Sequence, residues 1–288
     1  MGDLNTTLSL LDELEAASLV GMTSAVWARV QGDRVAVYDP DGTPHSFAKI
    51  NASANKLVRL FRSRGIQAGD SLALVCSNRA EFIEVLAATR RSGLRFTPVN
   101  WHLTTDEIAY IIQDCEAKIV VGEARVATVG PATASCPGVR IKLSVGGAID
   151  GFESYAEAIA PLDGSDIDDP VLGNQMMYTS GTTGRPKGVF RPNPVVTPQA
   201  MYALRGYDHQ TSVQMCAGPA YHAAPLAFDI NAAMGAGVPL IFIDKWDSEL
   251  VLRTIAEKGS PISTWCRSCS SGSWPCRRRL RPDIPSTM

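Results

Sequence analysis

Apolar positions along the first half of the chain fall alternately at helical spacing and in short unbroken runs, which predicts repeated helix and strand units. Leu8 to Leu19 is an amphipathic stretch and Val26 with Trp27 marks a second; both are expected as helices docked at the domain edge within residues 1–34. Val35 to Tyr38 and Thr43 to Phe47 are apolar arms around Asp39-Pro40-Asp41-Gly42, whose proline and Asp-Gly pair suit a hairpin tip. Ile50, Ala54, Leu57, Val58 and Phe61 share a helical face that Gly65 terminates, and Leu72 to Cys76 is the continuous run expected of a doubly covered strand. Asn78 is expected to cap the next helix, with Phe82, Val85 and Leu86 as its buried stripe and Gly93 as its end. Phe96 to Val99 follows as a strand. Thr104 and Glu107 have capping-box spacing for a helix carrying Ile108, Ile111 and Ile112, and Ile119 to Val121 is the strand after it. Units of this kind predict an α/β fold of parallel sheets covered by helices.

Pro131 to Gly138 and Pro161 to Pro170 break the pattern with Pro, Gly, Ser and Asp, and the second is expected to separate two subdomains, residues 35–165 and 166–259. Gln175 to Tyr178 and Gly188 to Arg191 read as short strands joined by a loop. Arg191-Pro192-Asn193-Pro194 is unsuited to a central strand, and Thr197 with Pro198 suits the start of a helix. Val213 to Ala217 and Val238 to Ile243 are further strands, the latter expected to leave an open apolar edge. Asp247 then caps a helix through Leu250, Leu252 and Ile255 that ends at Gly259.

The composition is that of a globular protein: 288 residues, 45% hydrophobic, 19% charged and a formal charge of −2. The weak net charge argues against a general nucleic-acid surface, and no run approaches the ~18 apolar residues of a membrane span. Seven cysteines without a pairing framework suit a reducing cytosol, so a cytoplasmic location is expected. Met1-Gly2 with Thr6 formally fits a myristoylation pattern, and Asn5 and Asn51 open formal glycosylation acceptors; nothing resembling a signal peptide precedes them.

The candidate chemistry is concentrated in Tyr178-Thr179-Ser180-Gly181-Thr182-Thr183-Gly184-Arg185-Pro186-Lys187-Gly188-Val189. Gly181, Gly184 and Gly188 permit backbone geometries that turn successive N–H groups toward one anion. Thr179, Ser180, Thr182 and Thr183 add hydroxyls, and Lys187 adds a mobile positive charge, so the loop reads as a polyphosphate cradle. Pro186 stands where a Walker A loop has its second glycine, which disfavours a P-loop kinase. The run resembles the signature of the AMP-forming adenylate synthetases, a superfamily that includes acyl-CoA synthetases, luciferases and peptide-synthetase adenylation domains. Val99-Asn100-Trp101 with Asp106-Glu107-Ile108 and the segment Gly218-Pro219-Ala220-Tyr221-His222-Ala223-Ala224-Pro225 are similar to further patterns of that family. Read from the residues alone, an aromatic beside an imidazole at the C-terminal end of a strand lies where α/β folds bind ligands.

The resemblance implies an acyl-CoA ligase that joins a carboxylic or fatty acid to ATP, releases pyrophosphate, and passes the acyl group to coenzyme A. It implies Thr179 to Gly184 and Lys187 at the phosphates, with Lys187 and His222 as catalytic residues. Tyr221, His222 and Ala223 would border the acyl pocket, with Ala224 and Ala227 leaving room for the chain. Aryl-CoA ligases and aryl or aminoacyl adenylation domains remain open, as do a non-catalytic ATP-binding module and a decayed gene product. Mg²⁺ is implied as a cofactor, yet neither the aromatic-Gly-x-Thr-Glu segment that supplies its carboxylate nor Tyr-x-Thr-Gly-Asp for the ribose is found, so no metal ligand is assigned.

Composition changes after Gly259. Residues 261–288 hold three of the seven cysteines, five arginines and one acidic residue. Cys266, Cys269 and Cys276 fall short of a tetrahedral zinc set. One permitted codon set for Trp265 to Arg277, shifted by a nucleotide, reads Met-Val-Pro-Val-Met-Phe-Lys-Arg-Leu-Leu-Ala-Leu-Pro, which resembles the same family. Residues 260–288 are therefore expected to be an out-of-frame, disordered tail.

Overall fold

The computed structural model describes residues 4–179, 185–191, 206–258 and 262–263. Helices α1 (Leu4–Leu19) and α2 (Thr23–Gln31) lead into the hairpin β1 (Val35–Tyr38) and β2 (Pro44–Ser46). There follow α3 (Phe47–Ser63), β3 (Ser71–Val75), α4 (Ala80–Arg91), β4 (Arg95–Pro98), α5 (Thr105–Asp114) and β5 (Ala117–Glu123). Next come α6 (Val129–Ala134), β6 (Ile141–Val145), β7 (Glu153–Ser154), α7 (Tyr155–Ile159), β8 (Asn174–Thr179) and β9 (Lys187–Arg191). The last elements are β10 (Gln214–Cys216), a π-helical segment α8 (Pro225–Asn231), α9 (Ala232–Gly235), β11 (Leu240–Phe242), α10 (Ser248–Lys258) and β12 (Ile262–Ser263).

The strands form two sheets. A seven-stranded sheet has the order β7-β6-β5-β3-β4-β8-β9, and a five-stranded sheet the order β12-β10-β11-β1-β2. Every pairing is parallel except the hairpins β8–β9 and β1–β2. Strand β3 shows why its sequence is apolar throughout. Leu72 and Leu74 pack on the α3 and α4 side with Leu57, Phe61 and Phe82, whereas Ala73 and Val75 pack with Ile108, Ile112 and Val129 on the α5 and α6 side. Each large side chain so buried contributes about 1.5–3 kcal/mol of transfer free energy.

The local signals at Thr104 and Asp247 act as read. Thr104 and Glu107 form a complete capping box, and Asp247 Oδ1 accepts from the N–H groups of Glu249 and Leu250. Other expectations are corrected. Asn78 does not cap α4; that helix receives its cap from Asp39, whose Oδ1 accepts from Ala80 N at 2.7 Å, 41 residues away in sequence. Pro131 to Gly138 is not uniformly loose, because Pro131 sits in the first turn of α6, where a missing N–H is tolerated. The linear division at residue 165 does not follow the sheets. The hairpin β1–β2 belongs to the sheet of β10 and β11, and β8–β9 extends the sheet of β3 and β4. Strand β11 has no open edge, since β10 and β1 flank it. Leu250, Leu252 and Ile255 of α10 are each more than a third exposed, and Val251 is the residue of that helix buried against Met215 and Ile241.

The first two helices are more than edge decoration. Trp27 is fully buried and its Nε1 donates to Gly235 O at 2.9 Å, while a Cβ on Gly237, whose φ is +65°, would meet its indole at 2.4 Å. Backbone pairing of Ile262 and Ser263 with Gln214 and Met215 carries the regular β–α–β continuation beyond Gly259, into the segment expected to be tail. Thr197 with Pro198, the three cysteines and the rest of the tail lie outside the described residues. No described helix is long and apolar enough to cross a membrane.

Candidate active site at the seam of two sheets

Parallel strands present their C-terminal ends on one side, and in this molecule side chains stitch those ends of the two sheets together. After β3, Asn78 Nδ2 donates to Gly218 O at 2.9 Å and to Ile243 O at 3.0 Å, and Asn78 Oδ1 accepts from Ala220 N at 2.8 Å. After β5, Arg125 donates to both carboxylate oxygens of Asp244 at 2.8 and 2.7 Å and also pairs with Glu123 at 2.9 Å. That guanidinium holds the Asp244 carboxyl below the usual range. It also stands 5.0 Å from the centre of the Trp101 ring, which stacks on His102 at 3.6 Å. After β1, the Asp39 carboxylate serves Ala80 N with one oxygen and His45 Nε2 with the other, at 2.8 Å, which raises the His45 pKa.

Two loops that carry expected site residues follow the C-terminal ends of strands, one on each sheet. The first springs from the β8–β9 hairpin, where Thr179 pairs with Lys187 and the Thr179 hydroxyl donates to Lys187 O at 3.5 Å. Both residues are exposed. The stem is anchored to α5: Tyr178 OH donates to Asp114, and burial with that carboxylate pushes the phenol well above its ordinary range. Arg185 lies 5.3 Å over the ring of Tyr110. Packing constrains Gly188. It stands opposite Tyr178, and a Cβ there would meet Met176 Cε at 2.2 Å and Tyr178 Cζ at 3.1 Å. Ser180, Gly181, Thr182, Thr183 and Gly184 lie outside the described residues.

The second loop follows β10. His222 N donates to Pro219 O at 3.0 Å, closing a turn, and Pro225 packs so tightly on Gly218 that a Cβ there would meet Pro225 Cγ at 2.7 Å. The Tyr221 ring is buried while His222, Ala223, Ala224 and Ala227 are exposed. The two rings stand 4.6 Å apart, tilted by 52°, and burial lowers the His222 pKa. Lys187 and His222 thus sit on different sheets, and among the described residues no hydrogen bond joins them. Among the described residues no group of three or more His, Cys, Asp or Glu side chains could hold a metal ion, and the seam carboxylates Glu123 and Asp244 are held by Arg125.

Residues 24–262 match the model of the AMP-binding enzyme family. The chain belongs to that family. Among its relatives, the long-chain-fatty-acid–CoA ligase FadD13 of Mycobacterium tuberculosis is 28% identical over 250 residues, which is 83% of this chain and 46% of that protein. A feruloyl-CoA synthase of Amycolatopsis is 26% identical over 218 residues, 75% of this chain and 42% of its own length. The inhibitor-bound N-terminal domain of FACL13 from Mycobacterium tuberculosis superposes with a TM-score of 0.69 at 24% identity, covering 84% of this chain and 61% of that one, and so shares the fold. The chain spans about half the length of the curated relatives it matches. The resemblance read from Tyr178 to Val189 and from Gly218 to Pro225 holds at the level of this AMP-binding family.

The joining roles of Asn78, Asp39, Asp114 and Arg125 are not legible in the sequence. Each is a common polar residue whose long-range partner (Ile243, Ala80, Tyr178 or Asp244) lies 41 to 165 residues away, so no local spacing marks that role.

Proposed function

We propose that this chain is the N-terminal part of an AMP-forming ligase that activates a carboxylic acid with ATP and transfers the acyl group to the thiol of coenzyme A. What supports the reading is that a hydroxyl- and lysine-bearing hairpin and an aromatic–imidazole loop each follow the C-terminal end of a strand, on two sheets that Asn78 and Arg125 hold together. In the reaction a carboxylate oxygen attacks the α-phosphorus and pyrophosphate departs with the bonding pair. Lys187, Thr179 and the loop between them hold the β- and γ-phosphates as charge develops on that leaving group. Partial desolvation lowers the His222 pKa and so favours the neutral imidazole, which suits it to orient the carboxylate as a hydrogen-bond donor. Mg²⁺ would share the phosphate charge when bound, and no step here is assigned through it. A fatty acid is the favoured acid. The matched relatives are named for both long-chain fatty and feruloyl substrates, so an aryl acid is the second reading.

The test is carboxylate-dependent exchange of labelled pyrophosphate into ATP, run with short, long-chain and aromatic acids. Exchange with one class, lost in Lys187→Ala, supports the reading. ATP binding without exchange for any acid would instead assign this chain a non-catalytic nucleotide-binding role.

A further inference from the structure

Asn78 is 6% exposed and lies in the turn between β3 and α4. An amide side chain carries two N–H donors and a carbonyl acceptor. Both donors are used, on Gly218 O and Ile243 O, and the acceptor takes Ala220 N. Strand β10 ends at Cys216, so the backbone from Gly218 to Ala220 has left its ladder, and the Asn78 amide supplies the partners that a neighbouring strand would otherwise give. Tyr221 and His222 follow immediately. A second link between the sheets, Arg125 with Asp244, lies on the β11 side and bonds to nothing between Gly218 and Ala220. The two links can therefore be told apart by what else moves when each is cut.

We propose that Asn78 is a positioning residue for the candidate active site, its buried amide fixing the placement of the Tyr221–His222 segment against the seam. The proposal rests on reading that segment as the acyl side of the site. Aspartate at this position would keep the acceptor but set a carboxylate oxygen against two carbonyls, and alanine would remove the amide from all three backbone groups, leaving Gly218 O with the weak Cys216 thiol at 3.4 Å. In either case the loop loosens, the Tyr221–His222 ring geometry relaxes, and the partial desolvation of the imidazole is relieved.

The experiment is histidine-selective NMR on the full chain, whose four histidines permit His222 to be assigned by comparison with His222→Gln. Wild type, Asn78→Ala, Asn78→Asp and Arg125→Gln are titrated at a temperature where urea melts show each folded. The expected result is that both Asn78 variants shift the His222 ring signals and raise its titration midpoint toward the ordinary 6.5, while Arg125→Gln leaves both where they are in wild type. An unchanged His222 in a folded Asn78 variant would overturn the proposal, as would an equal shift in Arg125→Gln. Failure of both Asn78 variants to fold would overturn it too, making Asn78 a structural clasp. The readout needs no turnover, so its outcome is independent of whether pyrophosphate exchange is observed.

Discussion

The β8–β9 hairpin and the turn between β3 and α4 both follow strand ends on one side of the seven-stranded sheet, but they are held by opposite means. The hairpin is the edge of its sheet, and Thr179, Lys187, Val189 and Phe190 are all exposed; its side-chain tether is Tyr178 on Asp114. The turn is buried: Ser77 N donates to Glu123 Oε2 at 2.8 Å, Asn78 makes its three bonds, and Arg79 is paired with Glu81 and Glu123. Groups that would meet a ligand must stay accessible and mobile, and such groups can be contiguous in sequence. Groups that hold loops in place must be buried and satisfied, and their partners come from wherever the topology brings them.

That contrast can be broken first at its scaffold. Trp27→Ala removes the largest fully buried side chain and the bond to Gly235 O, so a loss of about 3–5 kcal/mol is expected in urea unfolding. A smaller loss would mean that α2 contributes little to joining the sheets. Lys187→Ala should act on affinity and not on stability, because the side chain is exposed. Loss of a charge-assisted contact worth ~1.5–3 kcal/mol predicts roughly tenfold to a hundredfold weaker binding of ATP or pyrophosphate by calorimetry at an unchanged unfolding midpoint. Equal affinities would remove Lys187 from the phosphate site.

A pH-resolved comparison sharpens the scaffold side. Glu84 on α4 is buried and accepts from Tyr155 OH at 2.6 Å, and burial raises its folded pKa above the ordinary 4.5. Its protonated form is the one the fold favours, so the associated stability is fully present below pH 4.5 and is lost as pH rises through the folded value. Glu84→Gln, neutral throughout, should therefore gain on wild type as pH climbs through that window, measured as urea midpoints at acid and neutral pH. A constant difference would mean that Glu84 keeps the same protonation in both states. The smallest effect is expected for Arg125→Gln. Its pair with Asp244 is partly exposed, and about 0.2–1 kcal/mol in a double-mutant cycle with Asp244→Asn is the expected coupling.

The difference between the two regions also explains what the sequence makes legible. Strand β3, the capping box at Thr104 and the β8–β9 hairpin were readable because burial period, cap chemistry and turn residues act within a few positions. The pairing of Thr179 with Lys187 is legible for the same reason, as neighbours across one loop. Asn78 was misread because an Asn after a strand and before a helix fits a cap equally well, and only the arrival of Gly218 and Ile243 decides against it. The packing constraint on Gly188 is not legible, because cross-strand contact with Tyr178 and Met176 leaves no mark in a Gly-rich run. The sheet membership of β1 was illegible because its parallel neighbour β11 lies at the other end of the described chain.

That last pairing also orders events during synthesis. Val37 must wait for Leu240, roughly 200 residues later, which at ~5–20 residues per second is on the order of 10–40 s on the ribosome. The seven-stranded sheet draws all its strands from residues up to Arg191 and is complete well before then. It would form first, with Asp39 already able to reach Ala80, while the outer edge of β1 stands unpaired. Strand β1 is only four residues long and is bound on one side by β2, which keeps that waiting edge short until β11 emerges to close it.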